Sequence, residues 1–269
     1  MKDILEDWLA EDLGKGDFTT EAVLSNSFCN AQITGGPGTL SGIELVNNLL
    51  NKMHINFSTN FLDGHTILDN TLVYNLEGNS YDIMKVERLS LNILSYFSGI
   101  ASLTSKLVKL TKEINPNVVI LATRKTVPGI RKFSKRAVVH GGGMTHRFRL
   151  DDAILIKDNH LKLSDSITEA VRKSRELYPD LTVEVEADTI QQALEATKAH
   201  ADRVMLDNFS VEEVSEATSK IRQISDIEIE VSGGINLDNI AGYAPYADFI
   251  SMSSLTMSAP PVDFSLHVI

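Results

Sequence analysis

SDSITEAVRKSRELYPDLTVEVEADTIQQALEATKAHADRVMLD, residues 164–207, contains two short apolar runs, VEVEA and VML, each preceded by a stretch with helical spacing. In the first stretch a stripe at helical spacing begins at Ile167, and Ser164 is a candidate N-cap. Apolar runs of this length are typical of strands. Strands that alternate with helices form right-handed βαβ units on a parallel sheet.

The same alternation continues through the second half of the chain. Further apolar runs are VVILA at 118–122, ILI at 154–156, IEVSGG at 229–234 and FISM at 249–252. This spacing places six or seven strands in about 150 residues, whereas a complete eight-unit barrel usually needs roughly 250. We therefore predict an α/β fold with an incomplete (open) α/β barrel, and a doubly wound sheet is the alternative.

The first hundred residues have a different pattern, in which short strand-like segments are mixed with helices. They predict an N-terminal α+β sandwich domain at residues 1–105, which ends in or just after a long helix. The barrel domain is predicted at residues 106–259. Residues 260–269 alternate weakly like a short strand, and we interpret them as a tail that returns to the first domain.

The charge of the chain is unevenly distributed. The protein has 269 residues, of which 43% are hydrophobic, and a formal net charge of −11. Eight of its 25 Lys and Arg nevertheless lie between Arg124 and Arg149, in a stretch without Asp or Glu. Nucleic-acid binding needs a broad basic surface. A local basic cluster in an acidic protein favours a small, strongly anionic ligand instead.

Other features of the sequence bear on where the protein works. The longest apolar runs fall well short of the roughly 20 residues that span a membrane. The N-terminal residues are acidic and amphipathic, which is not typical of a secretory signal. The lone cysteine, Cys29, excludes an internal disulfide and a cysteine-based zinc site. We expect a cytoplasmic protein without membrane partners.

Polar residues follow nearly every predicted strand. In a parallel barrel the carboxyl ends of the strands form one rim, where active sites lie. Small-residue turns at 232–234 and 251–254 offer backbone amides of the kind that cradle phosphates. The rim is therefore predicted to carry cations, carboxylates and these two turns. Its predicted residues are Thr123, Arg124, Lys125, Lys157, Glu186, Asp207, Ser232, Gly233, Gly234, Ser251, Ser253 and Ser254.

Some of the charged residues have simpler structural interpretations. Arg131, Lys132, Lys135 and Arg136 lie opposite apolar residues on a helical pattern, and we predict that they face solvent. The pair at 151–152, two aspartates, precedes an apolar run, which favours a surface or capping role.

The acidic strand residues are harder to place. Glu184 and Glu186 share one face of a predicted strand, and two carboxylates inside a barrel need cations or a metal nearby. A purely structural pair is the alternative. Asp207 is a candidate site residue, with a helix N-cap as its alternative role.

An ordered series of motifs runs through nearly the whole chain. In sequence order it comprises AEDLGKGDFTT, VERLSLNILSYFSGIASLT, TRKTVPGIRKFSKRAV, GGGMTHR, ILIKDNH, VEVE, VMLDNF, EVSGGINLDNI and ISMSSLTMSAP. Together these motifs strongly resemble the quinolinate phosphoribosyltransferase family, from Glu11 to Pro260. The order and number of the motifs make the resemblance far more specific than any one of them.

The resemblance implies conversion of quinolinate and phosphoribosyl pyrophosphate to nicotinate mononucleotide, pyrophosphate and carbon dioxide, with Mg²⁺, in NAD biosynthesis. It also implies a homodimer, or a higher assembly, whose sites are shared between subunits. By this resemblance, the carboxylates of quinolinate are held by Arg124, His146, Arg147 and Lys157. Lys125 faces the phosphoribosyl donor, and Arg88 reaches into the partner's site. Glu186 and Asp207 face the ribose and the metal, and the 5′-phosphate is held by the turns at Ser232–Gly234 and Ser251–Ser254.

Two positions depart from the family's pattern. Arg149 stands where the motif HR-x-G-L has glycine, and Ser253 replaces a glycine of the late phosphate turn. Both bear on substrate preference rather than on fold. The alternatives to the quinolinate enzyme are a related phosphoribosyltransferase-like family associated with molybdate transport, and a catalytically silent anion-binding protein on the same scaffold.

Overall fold

The structure, a computed structural model, describes residues 3–269. These residues form two compact units. The first comprises the chain up to Leu103 together with His140–Gly142 and Ala259–Ile269, and the second comprises Thr104–Val139 and Gly143–Ser258.

The first unit is built on an antiparallel sheet. Within residues 3–269 this sheet has the order β13-β1-β5-β3, from β1 (Phe28–Gly35), β3 (Asn56–Ser58), β5 (Thr71–Asn79) and β13 (Phe264–Val268). A smaller ladder joins β2 (Gly38–Thr39) to β4 (Thr66–Ile67). The helices of this part are α1 (Ile4–Leu13), α2 (Phe18–Val23), α3 (Ile43–Lys52) and α4 (Ser80–Lys112), whose last residues belong to the second unit.

The first unit has its own core, and its sheet packs on α3. Tyr74 of β5 is fully buried, and its hydroxyl donates to Asn47 Oδ1 on α3 at 2.8 Å. The carboxyl-terminal strand β13 pairs antiparallel with β1, from Ala31 opposite Val268 to Gly35 opposite Phe264. The end of the chain therefore forms an edge of this sheet.

The second unit is built on a parallel sheet that curls into a half-barrel. In the described part of the chain its strand order is β7-β6-β12-β11-β10-β9-β8. The strands are β6 (Val119–Ala122), β7 (Met144–Thr145), β8 (Ile154–Ile156), β9 (Val183–Ala187), β10 (Arg203–Asp207), β11 (Glu228–Ser232) and β12 (Phe249–Met252). The helices are α5 (Arg131–His140), α6 (Asp158–Leu161), α7 (Ile167–Leu177), α8 (Ile190–Lys198), α9 (Val211–Arg222), α10 (Ile240–Tyr243) and α11 (Ser254–Met257).

These two architectures confirm the predicted fold class, an incomplete α/β barrel with a separate α+β domain. Every residue of β9 is buried, as expected for a strand covered on both faces.

Neighbouring helices start at hydroxyl caps, because a side-chain oxygen satisfies an N–H group of the first turn. The cap of α7 is Ser166, which accepts from the Glu169 N–H at 3.1 Å, so the predicted cap at Ser164 is wrong by two residues.

The described helices include none that combines the length and the apolar character needed to cross a membrane.

Candidate active site

Strand register brings polar side chains from several strands onto one face of the half-barrel. Glu184 is level with Leu155 on β8 and with Arg203 on β10. One step further along the strands, Met205 is level with both Glu186 and Glu230. Because side chains alternate between the faces of a strand, these residues all project to the same side. The half-barrel interior is therefore charged at two successive levels.

A cavity of about 440 Å³ opens at the carboxyl ends of these strands. It is lined by ten of the predicted site residues: Thr123, Arg124, Lys125, His146, Arg147, Lys157, Glu186, Asp207, Ser232 and Ser251. Leu155, Met205 and Glu230 complete the lining. Four Lys and Arg side chains thus meet three carboxylates in one cleft, which suits an anionic substrate that develops positive charge during reaction.

The other predicted site residues lie outside this lining. Arg88 belongs to the first unit, where it lines a separate cavity of about 410 Å³ with Asp17 and Lys85. Ser253 is the N-cap residue of α11, and Ser254 is the first residue of that short helix.

Gly233 and Gly234 form the turn after β11, and both have positive φ, +85° and +62°. A Cβ on Gly233 would lie 2.2 Å from Asn208 Oδ1, whereas one on Gly234 would meet open space. Close approach to Asn208 therefore requires glycine at position 233.

Both ring nitrogens of His146 are engaged within the protein. Nε2 lies 2.7 Å from Glu184 Oε2, and Nδ1 accepts the backbone N–H of Arg147 at 2.8 Å. Since Nδ1 is an acceptor, the proton of the neutral ring is on Nε2 and is donated to Glu184. Burial lowers the pKa of His146, which favours this neutral form.

Glu230, which lies at the floor of the cavity, forms a buried acidic pair with Glu184, and an arginine compensates the pair. Burial raises the pKa of both Glu184 and Glu230. Arg203 lies 3.3 Å from Glu230 Oε2, and its guanidinium stacks 3.9 Å from the centre of the Phe249 ring. His146 Nε2 is also 3.6 Å from Glu230 Oε2.

Glu230 and Arg203 were not among the site residues predicted from the sequence. A usable signal exists, because Glu228 and Glu230 repeat the every-second-residue spacing of Glu184 and Glu186. The prediction that the glutamates of β9 need nearby cations agrees with the side chains around them, since Lys157 Nζ pairs with Glu186 Oε2.

Lys135 contradicts the prediction that the basic side chains of α5 face solvent. Its side chain is fully buried, and Nζ donates to the carbonyl oxygens of His146 and Arg147, at 2.5 Å and 2.7 Å. Arg131 is half-buried and donates to the carbonyl of Phe148. Arg136 is half-buried as well, whereas Lys132 is exposed as predicted.

The loop after His146 is stabilised by Asp152, whose Oδ2 accepts the N–H groups of Phe148 and Arg149 at 2.7 Å and 3.1 Å. A surface or capping role was predicted for the pair: both aspartates are exposed, and Asp152 caps these loop amides. Arg149 is exposed and lies 3.1 Å from Asp151. Neither Arg149 nor Ser253 has a positive φ, so their backbone conformations are open to residues other than glycine.

Carboxylates that can hold a divalent cation stand on adjacent strands. Glu186, the residue before the end of β9, lines the cavity, and Asp207 ends β10, where its Oδ2 accepts from Asn208 Nδ2 at 2.6 Å. Mg²⁺ is usually bound by one or two carboxylates together with substrate phosphates. Two carboxylates beside a strongly cationic cleft fit that donor set.

Comparison with known proteins agrees with this geometry. Residues 17–98 match the family described as Quinolinate phosphoribosyl transferase, N-terminal domain, and residues 100–267 match its C-terminal domain. This chain belongs to the quinolinate phosphoribosyl transferase family. The match covers both structural units, and it confirms the resemblance carried by the ordered motifs.

Individual relatives are similar over almost their whole length. A probable nicotinate-nucleotide pyrophosphorylase (carboxylating) of Archaeoglobus fulgidus is 40% identical over 241 residues, which are 88% of this chain and 93% of the relative. The nicotinate-nucleotide pyrophosphorylase (carboxylating) of Homo sapiens is 32% identical, over 98% of this chain and 90% of the human protein. The solved structure of nicotinate-nucleotide pyrophosphorylase from Francisella tularensis superposes with a TM-score of 0.93 at 36% identity, covering 99% of this chain and 95% of that one.

Proposed function

We propose that this protein transfers the phosphoribosyl group of phosphoribosyl pyrophosphate to quinolinate and releases nicotinate mononucleotide, pyrophosphate and carbon dioxide in NAD biosynthesis. The observation that carries the proposal is the single cleft in which Arg124, Arg147 and Lys157 face Glu186 and Asp207. The names of the relatives favour this activity over molybdate-associated and silent alternatives.

Quinolinate brings two carboxylates, and the cleft offers cations of two kinds. The planar guanidinium groups of Arg124 and Arg147 suit bidentate binding of planar carboxylates. Lys157 adds a point charge at the end of β8. Arg147 is held in place at NH1, which donates to the carbonyl of Ala153 at 3.1 Å. His146 borders the same pocket, with its ring oriented by Glu184.

The phosphoribosyl donor is proposed to lie across the carboxylate side of the cleft. Lys125 faces its phosphates, and the turns at 232–234 and 251–254 receive the 5′-phosphate. Glu186 and Asp207 would hold Mg²⁺ together with the donor, and the ion would supply positive charge that offsets the charge of the pyrophosphate leaving group. The Lys157 ammonium pairs with Glu186, and it would be available to quinolinate once Glu186 held the ion.

The reaction needs positioning and charge compensation rather than a covalent nucleophile. The bond from the anomeric carbon to pyrophosphate breaks, and fixed carboxylates stabilise the oxocarbenium-like ribose. The pyridine nitrogen then forms the new bond to that carbon. The resulting pyridinium accepts the electron pair when the 2-carboxylate leaves as carbon dioxide, and a proton from solvent takes its place on the ring.

Two further parts of the proposal concern the assembly and its location. We propose a cytoplasmic homodimer in which Arg88 of each subunit completes the cationic site of its partner. Neither nucleic acid nor a membrane has a part in this activity. The support is the family membership of the chain and the position of Arg88 in the first unit, on a different cavity from the cleft.

The activity is tested with purified protein, phosphoribosyl pyrophosphate, Mg²⁺ and quinolinate labelled in the 2-carboxylate. We expect labelled carbon dioxide and pyrophosphate in equal amounts, and their loss in Lys157→Ala but not in the surface control Lys162→Ala. Turnover of nicotinate in place of quinolinate would contradict the proposal.

The shared site is tested by mixing Arg88→Ala with Lys157→Ala subunits under conditions in which subunits exchange. Each variant alone is expected to be inactive, whereas the mixed dimer retains one intact site. Failure to recover activity after proven exchange would rule out the role of Arg88 across the interface.

A further inference from the structure

The backbone of the segment that carries His146 and Arg147 is hydrogen-bonded to a side chain of helix α5. Lys135, on α5, is fully buried, and its ammonium donates to two consecutive carbonyls, those of His146 and Arg147. The same ammonium lies 4.7 Å from the centre of the Phe148 ring, within the range of a cation–π contact. Three successive residues of the segment therefore contact one lysine head group.

Other side chains fix the rest of the segment. Arg131, one turn before Lys135, donates from NH1 to the Phe148 carbonyl at 3.0 Å. Asp152 accepts the N–H groups of Phe148 and Arg149. The backbone between His146 and Arg149 is thus held at carbonyls and amides by contacts with other parts of the same unit.

A lysine at this position is electrostatically unfavourable for the fold. Its charge is removed from water, and repulsion by Arg131, Arg124 and Arg147 outweighs the attraction by Asp152, so its pKa is lowered. The hydrogen bonds of its ammonium go to neutral carbonyls. An apolar side chain of similar length would fill the same space without that cost. The distinctive property of lysine here is its ability to hold two adjacent peptide groups at once.

We propose that Lys135 is a positioning residue for the dicarboxylate pocket, which fixes the backbone at His146 and Arg147 so that the Arg147 guanidinium meets the substrate carboxylate. The identity of the substrate in this inference rests on the proposed function. The hydrogen bonds by which Lys135 holds the backbone do not depend on that function. Lys135 acts through the backbone and does not line the cleft.

The test compares Lys135→Met with Lys132→Met, which removes an exposed charge from the same helix. In Lys135→Met we expect the KM for quinolinate to rise about tenfold or more, because a small displacement of a positioning group is costly to binding. The KM for phosphoribosyl pyrophosphate is expected to stay at its wild-type value. Amide hydrogen exchange at Phe148 and Arg149, measured by mass spectrometry without substrate, is expected to quicken. Lys132→Met should match the wild type in all three measurements.

Each result decides the inference. It stands if both the quinolinate KM and the local exchange change selectively, and it is overturned if either stays at the wild-type value or if both KM values rise equally. Should Lys135→Met fail to fold, Lys135→Gln is measured instead. Its N–H₂ donor is one bond nearer the backbone than the lysine ammonium, so we expect smaller changes of the same kind in both measurements, and no change in either would overturn the inference. If the wild-type protein is inactive on quinolinate, the proposed function alone is refuted. The hydrogen exchange would then still show whether Lys135 holds the backbone of this segment in place.

Discussion

The His146 imidazole donates from Nε2 to Glu184 Oε2 across 2.7 Å, and this bond connects the substrate cleft to the buried charges beneath it. It leaves Nδ1 as the acceptor for the Arg147 N–H, so the ring links a buried carboxylate to the backbone of a cleft arginine. Glu184 therefore influences the cleft through His146.

Replacement of Glu184 tests this link. Glu184→Ala removes the acceptor, and we expect kcat/KM for quinolinate to fall about 10- to 100-fold as the ring and Arg147 lose their fixed orientation. Glu184→Gln keeps an acceptor oxygen and is expected to retain most of the activity. Steady-state kinetics of both variants, with the exposed Glu176→Ala as control, measure the difference. Equal losses in the Gln and Ala variants would show that charge rather than orientation matters.

The buried acid Glu230 predicts a pH dependence of stability. Burial raises its pKa from 4.5 to about 7, so between these values the folded protein holds a proton that the unfolded chain has released. The folded state binds more protons there, and its free energy of unfolding must fall as pH rises through this window. Urea denaturation across the window is expected to show a shallower fall in Glu230→Gln than in the wild type. An identical pH slope for both proteins would exclude the effect.

The fold was predictable because its signals are local and repeated. Alternation of apolar runs with helical patterns is visible around VEVEA and VML, and strand-end polar residues then follow from the topology of parallel sheets. The cap of α7 was placed at Ser164 rather than Ser166 because both serines precede the helix, and the choice depends on which one adopts an extended backbone.

The interior charges were less predictable. Lys135 lies three residues before the buried Val138, so helical geometry allows it on the inner side of α5. Its charge led to the prediction of exposure, and its carbonyl partners at 146 and 147 come from a different part of the chain. Glu230 could have been found from its alternation with Glu228. The pairing of Glu230 with Arg203 depends on two adjacent strands and needs the register.

The turn after β11 offers a matched pair of glycine substitutions. Gly233→Ala places a methyl group 2.2 Å from Asn208 Oδ1 and 2.6 Å from its backbone nitrogen, so the turn must move. Gly234→Ala meets open space and carries only the cost of a left-handed backbone, roughly 1–2 kcal/mol. We expect a larger loss of melting temperature, and a larger rise in the KM for phosphoribosyl pyrophosphate, in Gly233→Ala. Equal effects in the two variants would mean that Asn208 does not constrain the turn.

Lys135 predicts a second pH dependence, with the opposite sign. Burial lowers its pKa from 10.5 to about 8, so between these values the folded protein has lost a proton that the unfolded chain retains. The contribution of Lys135 to the free energy of unfolding therefore rises with pH in this window. Lys135→Met removes that contribution, and its stability relative to the wild type is expected to decline from about pH 8 upward. Chemical denaturation at intervals across the window, with Lys132→Met as control, measures the change, and a constant difference would contradict the lowered pKa.

Arg203 and Glu230 provide a double-variant test of charge compensation in the floor of the cleft. Arg203→Met retains much of the apolar contact with Phe249 but leaves Glu230 buried beside Glu184 without its guanidinium partner. Above about pH 7, where Glu230 is ionised, loss of one member of a buried ion pair typically costs about 3–5 kcal/mol, because the remaining charge is uncompensated. Arg203 also pairs with Glu228 Oε2 at 2.8 Å, and that pair is lost in both Arg203 variants. We expect the double variant Arg203→Met/Glu230→Gln to recover the part of the loss that comes from Glu230, since this buried charge is then gone as well. Urea unfolding of the wild type, both single variants and the double variant gives the coupling free energy directly. Strictly additive single losses would show that the two side chains stabilise the floor independently.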